Sequence, residues 1–448
     1  MKKLKIALLL ALCHGSQAIG ADIHVPEDYP TLQDAVDAAL SGDTIRIAGG
    51  VHSGQTVISS KDLKLIGKPG AILRATANML PLPQSDGRHV PVLGIVSSTV
   101  TIKGLTFEGE HFADQYPDPE FGHFIGGYYL DSGGTVENCR FVGFREGRPG
   151  SEGAIALRMY NDFGGAPQRE ARVVGNTFVD NYDGVEIAGA SGNRSFHMTI
   201  DNNVISGIGP SPHEYRGAGI IIGVGTEGTV SRNIISGYSC TDPDLPFPFA
   251  WGVLAFDSSF PDSRNALEPV HFDGNTFRDN QFHLTILEGD EHTIANNTFD
   301  GSAPEARPAA IWVSGRNVTI SNNRFRDQQS GIHLLGDDPD YGDLLGRAID
   351  AKINDNWFTE GFTKVTIQPG ASGTETGSIS PFPEPELTVQ KAVLMSWFDS
   401  FDDYLLESSI NLEGPWLPSE ARSFRDENRN HFVFPTESAH RFFRLQKR

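Results

Sequence analysis

The sequence predicts an all-β chain: a solenoid of stacked coils, with a short capping helix at its start and a small antiparallel β-domain at its end. Three regularities carry this expectation. An Asn is followed two positions later by an aromatic or aliphatic residue at Asn176/Phe178, Asn203/Ile205, Asn233/Ile235, Asn275/Phe277, Asn297/Phe299, Asn323/Phe325 and Asn356/Phe358, with Cys139/Phe141 in the same slot. Three residues before the slot stands an apolar residue: Val136, Val173, Ile200, Val230, Phe272, Ile294, Ile320 and Ile353. Soon after the slot comes a short apolar strand, such as Val185-Glu186-Ile187, Ile220-Ile221-Ile222 or Ile332-His333-Leu334. Successive repeats lie 37, 27, 30, 42, 22, 26 and 33 residues apart. A shortest interval of 22 with irregular longer ones reads as a coil of fixed minimum length, with loops inserted in some turns.

In chain order, residues 1–21 read as an export signal. Lys2, Lys3 and Lys5 precede an apolar run over 6–13 and the small-residue site Ser16-Gln17-Ala18. That run is too short to span a membrane. A helix is expected after Thr31, because Thr31 and Asp34 approximate a capping box. Leu32, Ala35, Val36, Ala39 and Leu40 would line its buried face and cover the open end of the solenoid.

The coils occupy 22–369. Polar residues flank each apolar position before the Asn (Thr199 and Asp201, Thr229 and Ser231), so this segment is a strand with one buried face. Gly184, Gly219, Gly252 and Gly331 precede the second strand and are expected at positive φ. Such short strands hold only when stacked in parallel on their equivalents. The Asn amides would then form an internal ladder, each satisfied bond contributing roughly 0.5–1.5 kcal/mol. Residues 370–385 are rich in Gly, Ser, Thr and Pro and read as a linker. Residues 386–448 carry short alternating strands with Trp397, Tyr404, Trp416, Phe432, Phe434 and Phe442, enough for a small antiparallel β-domain.

These repeats, with the opening stretch 25–47, resemble the right-handed parallel β-helix superfamily with the pectate-lyase-like fold. The resemblance covers residues 23–369. The tail resembles a C-terminal sandwich module of secreted bacterial proteins. What the resemblance implies is a secreted, periplasmic or surface-located bacterial protein acting on a polysaccharide, by lyase or hydrolase chemistry. It also admits a non-catalytic carbohydrate-binding or scaffold role. A role in maturing copper enzymes is disfavoured by the shortage of His, Met and Cys clusters.

Composition narrows the partners. The net charge of −21 disfavours nucleic acid and anionic membranes. An acidic polysaccharide would need a local cluster of cations against that field. The mature chain keeps only Cys139 and Cys240, read as two thiols rather than a disulfide. Calcium is compatible with the scattered Asp and Glu, but no spacing marks a site, and no P-loop, zinc motif or nucleophile elbow is present. Polygalacturonase and pectin methylesterase motifs are also missing, and no pectate-lyase Arg motif stands out.

The long inserts over 159–170, 188–196, 257–269 and 336–349 follow the second strand, and those over 144–152, 209–217 and 238–250 precede it. Both sets would wall a canyon over that strip of strands. One outward row is expected to hold Ala156, Glu186, Ile221, Leu254, Thr285, Trp312, His333 and Thr366; a second would hold Arg158 with Ala188. Arg158, Glu186, His213, Tyr215 and Arg216 are the candidate catalytic residues. Tyr160, Asp162, Trp312 and His333 are the candidate substrate-binding residues. Arg beside a base and a Tyr suits β-elimination on a uronate. Glu186 with Asp162 or Glu214 would suit glycoside hydrolysis. An Arg and a Glu on neighbouring coils also read as a surface ion pair, the commoner case, and Trp312 as packing beneath a loop.

Overall fold

The computed structural model describes residues 20–378, apart from 86, 116–122, 146–152, 162–166, 190–194, 242–248, 257–266, 302–308, 327–329, 338–345 and 360–362, together with the backbone of the C-terminal strands. Residues 1–19 of the expected export signal, and Asp162, lie outside the described residues. Residues 1–382 and 383–448 are separate compact units.

The larger unit is three parallel sheets of 13, 11 and 11 strands, each strand bonded to its equivalents in the coils before and after. The first sheet holds the segment before the Asn, so that Val136, Val173, Ile200 and Val230 stack in register. The second holds the Phe segment, and the third holds the strand that follows. The interior is filled column by column: Phe107, Phe141 and Phe178 stack at centroid distances of 4.5 and 4.9 Å, and Phe277, Phe299, Phe325 and Phe358 at 4.9, 4.9 and 4.8 Å.

The amide ladder is present. Asn203 Oδ1 accepts the backbone N–H of Asn176 at 2.8 Å, and its Nδ2 donates to the Val173 carbonyl and to Asn233 Oδ1, each at 2.9 Å. The same pattern continues through Asn275, Asn297 and Asn323 to Asn356. Cys139 is the rung before Asn176 and gives its backbone N–H to Asn176 Oδ1 at 2.8 Å. Burial pushes its thiol up to about 12. Cys240 is a buried thiol as well. A second, shorter set was not foreseen: Asn181 and Asn280 cap the next turn, accepting from the N–H of Phe144 and of Tyr238.

The turn geometry differs from expectation. Gly184 and Gly219 are not at positive φ. They are needed for proximity, because a Cβ there would lie 2.4 and 2.7 Å from the carbonyl oxygen of the next coil. The left-handed residue instead stands one place before each ladder Asn, at Gly175, Asn202, Arg232, Gly274, Asn296, Asn322 and Asp355. All but Arg232 are types that tolerate this region. The bend spans two residues in every coil from Gly133–Glu137 and Arg140–Val142 to Ala351–Asn354 and Trp357–Phe358. The long connections therefore fall only at the two ends of third-sheet strands, as the inserts suggested.

Two details of the ends also differ. Thr31 caps the helix Leu32–Ala38 as expected, accepting from the Asp34 N–H. The backbone turns extended at Ala39, so Leu40 leaves the helical face and is 73% exposed. Residues 373–376, read as linker, form the last strand of the first sheet, paired with Ala351–Asn354. The smaller unit has two antiparallel three-stranded sheets, one from Ala392–Phe398, Arg429–Pro435 and Arg422–Asp426, the other from Leu417–Pro418, Tyr404–Ser409 and Phe442–Lys447.

Candidate active site

The third sheet carries the chemistry on its outer face. Its pairing defines one outward column: Tyr128, Arg158, Glu186, Ile221, Leu254, Thr285, Trp312, His333 and Thr366. Arg158, not Ala156, stands opposite Glu186, and Tyr160, not Arg158, stands opposite Ala188. The expected rows slip by two residues here because this strand has Ala156 where its neighbours have Gly184 and Gly219, so a glycine-based alignment misplaces it. A two-residue slip keeps side chains on the same face.

The corrected register brings Arg158 and Glu186 together. Arg158 Nη2 lies 3.0 Å from Glu186 Oε1, with both side chains nearly buried. Arg158 Nη1 reaches back to His89 Nε2 at 3.1 Å and to His123 Nδ1 at 3.5 Å. The guanidinium lies over the rings of Tyr160, 4.7 Å from the centroid, and Tyr128, 5.8 Å. Both histidines directly precede third-sheet strands, Val90–Val96 and Phe124–Leu130. Their rings pack at 5.1 Å.

Burial opposes the charge of Arg158. Glu186 and the two tyrosines more than offset it, so its pKa is raised and the cation is held. His123 responds in the opposite sense: burial, then Arg158, then His89 hold its pKa well below the usual 6.5, so the imidazole is neutral at pH 7. His89 faces two donors, the His123 N–H at its Nδ1 and Arg158 at its Nε2. A neutral imidazole has one acceptor nitrogen, so only one of these contacts can be a full hydrogen bond. The cluster therefore combines a fixed cation, a neutral base, two phenols and one carboxylate on one wall.

The residues expected from the loop 213–216 belong to another cluster. Glu214 is fully buried, and its Oε1 accepts from Arg145 Nη2 and from the Ile208 N–H, both at 2.9 Å. Arg145 Nε lies 2.8 Å from Asp180, which also meets His111 at 2.8 Å. Burial, against Arg145, pushes the Glu214 carboxyl up to about 7. Burial and Arg145 lower the His213 pKa. Tyr215 is buried, and Arg216 lies over its ring at 5.1 Å. The described contacts of this group join it to Arg145 and Asp180, not to Arg158.

Trp312 and His333 are neighbours in the outward column, farther along the solenoid, with ring centroids 5.1 Å apart. Phe282 meets Trp312 edge-on at 5.2 Å. Five coil steps separate Arg158 from Trp312, or about 24 Å at roughly 4.8 Å per step. Among the described residues, no group of three or more His, Cys, Asp or Glu side chains is placed to hold a metal ion.

A family profile described as the right handed beta helix region matches residues 261–340. That match agrees with the three continuous parallel sheets. Residues 22–376 fold as a right-handed parallel β-helix. This β-helix resembles several solved structures at low identity. One is an alginate lyase from Paenibacillus sp. str. FPU-7 (14% identity, 80% of this chain and 94% of that one, TM-score 0.40). Another is DFA-IIIase from Arthrobacter chlorophenolicus A6 without its lid (14%, 80% and 93%, 0.38). A third is a tailspike protein of Bacteriophage CBA120 (12%, 81% and 62%, 0.37). Likeness of this degree carries no argument about activity. No curated protein matches the chain by sequence.

The sequence reading missed His89 and His123. A signal existed: each immediately precedes an apolar strand, at Val90 and Phe124, and the two strands are equivalents in successive coils. Without the register that equivalence was hidden.

Proposed function

We propose that this β-helix is an exported protein that cleaves a uronate-containing polysaccharide by β-elimination on the outer face of the third sheet. The supporting observation is a neutral-held imidazole, His123, beside a charge-held guanidinium, Arg158. Elimination needs that combination. Arg158 offsets the substrate carboxylate and so acidifies the adjacent C5–H. His123 takes the proton. The C5–H pair becomes the C4=C5 bond, the C4–O bond breaks, and Tyr160 or Tyr128 returns a proton to the leaving oxygen.

Hydrolysis is the weaker reading. It ordinarily uses two carboxyls across the scissile bond, about 5–5.5 or 6.5–9.5 Å apart. Among the described residues the outward column offers Glu186 alone, with Oε1 on Arg158, and then Ile221 and Leu254. The loop 213–216 is assigned a supporting role through Arg145 and Glu214, and Trp312 with His333 a substrate-binding one. The test is incubation with alginate, polygalacturonate and hyaluronan, read by ultraviolet absorbance of the unsaturated product and by reducing ends. Absorbance that rises with the wild type and is lost in Arg158→Gln and His123→Ala supports elimination. Reducing ends without absorbance would replace it with hydrolysis.

A further inference from the structure

The outward column has a second feature, remote from Arg158. Thr285 and Ser330 are each 4% exposed, and the Oγ1 and Oγ atoms are shielded from solvent with no hydrogen-bond partner among the described residues. The indole N–H of Trp312, which pairs in register with Thr285, is likewise shielded and without a partner. Ser330 opens the next strand of the same sheet, Ser330–Leu334, which also carries His333. Buried polar groups are nearly always satisfied, and each exception asks for a bound group. Here Thr285 and Trp312 are register neighbours on adjacent coils beside the partly exposed ring of His333, and Ser330 stands three residues before His333 on the next strand.

The surroundings decide what kind of group. Thr285, Trp312 and Ser330 bear no charge. Leu254, Phe256 and Leu287, half-exposed on the preceding strands, are apolar. A flat apolar surface edged by hydroxyl and N–H groups suits a sugar ring, with its faces apolar and its rim hydroxylated. We infer that Thr285, Trp312 and Ser330 form a distal subsite for one sugar unit of a polysaccharide, recognised through hydroxyls rather than carboxylate. It deepens the polysaccharide reading and rests on it. A glycan lying along the outer face of the third sheet would reach this subsite about 24 Å from Arg158, so short oligosaccharides would engage one centre and not both. Binding energy from this remote contact would favour long chains.

The test separates this subsite from the cleavage reading. Arg158→Gln, used to keep the polymer intact, is run by affinity electrophoresis through alginate, polygalacturonate and hydroxyethylcellulose. Retardation by at least one polymer is expected. Adding Trp312→Phe, which keeps a ring on Phe282 but drops the N–H, should weaken it about two- to tenfold, as should Thr285→Val. The thermal midpoint of Thr285→Val should be unchanged or raised, because an orphaned hydroxyl has been removed. Equal retardation in all variants overturns the subsite, and so does retardation by none of the polymers. Retardation that depends on Trp312, with no cleavage by the wild type, sinks the lyase reading alone. Cleavage whose KM is unmoved by Trp312→Phe and Thr285→Val sinks the subsite alone.

Discussion

Replacing Asn233 by Ala removes one rung from the middle of the ladder. In the wild type its Oδ1 accepts the Asn203 backbone N–H and Nδ2, both at 2.9 Å, and its Nδ2 donates to the Ile200 carbonyl at 2.9 Å and to Asn275 Oδ1 at 3.0 Å. Ala leaves the Asn203 N–H buried and unsatisfied, while the Ile200 carbonyl loses a second bond and keeps its place in the parallel ladder with the strand of Ser231. Asn203 Nδ2 keeps its bond to Val173, and Asn275 Oδ1 keeps the Asn233 N–H, so these lose less. One orphaned N–H at about 1–3 kcal/mol and one lost carbonyl bond at about 0.5–1.5 kcal/mol place the cost near 2–4 kcal/mol. Cys139→Ala is the control. It loses sulfur contacts of 3.3 and 3.9 Å to the carbonyls of Glu137 and Ile102, but leaves its own N–H on Asn176. Its cost should stay under about 2 kcal/mol, mostly from lost packing. Urea unfolding followed by circular dichroism compares the two. If Asn233→Ala proves as mild as Cys139→Ala, the ladder is not what holds the bend.

Other perturbations act through buried titratable groups. Glu214 has its folded pKa raised from 4.5 to about 7, so the native state holds a proton that the unfolded chain releases. Its stabilisation is complete below pH 4.5 and lost as pH rises through 7, a change of about 3 kcal/mol at 1.36 kcal/mol per unit. Glu214→Gln should flatten this descent, and an unchanged pH slope would contradict the assignment. His292 is depressed from 6.5 to about 4 by burial, its Nδ1 accepting from the Val270 N–H. The unfolded chain binds the proton first, so stability falls with acid between pH 6.5 and 4, again by about 3 kcal/mol. In the Glu214→Gln background the urea midpoint should therefore rise from pH 4 to 6.5, and a flat profile would oppose it. Because His123 is neutral well below pH 6.5, the acid limb of any cleavage profile should also lie below pH 6.5. A limb at or above 6.5 would assign the base elsewhere.

The interior of this protein was legible because its columns are chemically uniform. Asn176 through Asn356 repeat one residue type, and Phe141 through Phe358 stay apolar with Ile205 and Ile235 among the phenylalanines, since each faces the same kind of neighbour in every coil. The outer face carries no such constraint. Arg158, Glu186, Ile221 and Leu254 share one column with nothing in common, so their register could be read only from strand pairing. Ala156, standing in a glycine column, was enough to shift the frame by two residues and hide the Arg158–Glu186 pair. The loop 213–216 looked catalytic because it concentrates titratable types. Its geometry shows Glu214 turned inward onto Arg145, which no local pattern could reveal. The left-handed positions were readable in hindsight from the pairs Gly175-Asn176, Asn202-Asn203 and Asn322-Asn323, where the residue before the ladder amide tolerates positive φ.

The central proposal is that His123 takes a proton from a uronate bound on the third sheet while the Arg158 cation offsets the uronate carboxylate. Its most direct measurement is the initial rate of ultraviolet absorbance over alginate, polygalacturonate and hyaluronan for the wild type and for Arg158→Gln, each checked by circular dichroism. The expected result is absorbance with at least one polymer, abolished by Arg158→Gln with the β-sheet spectrum unchanged. Absorbance from none of them, or an equal rate in the variant, would contradict it.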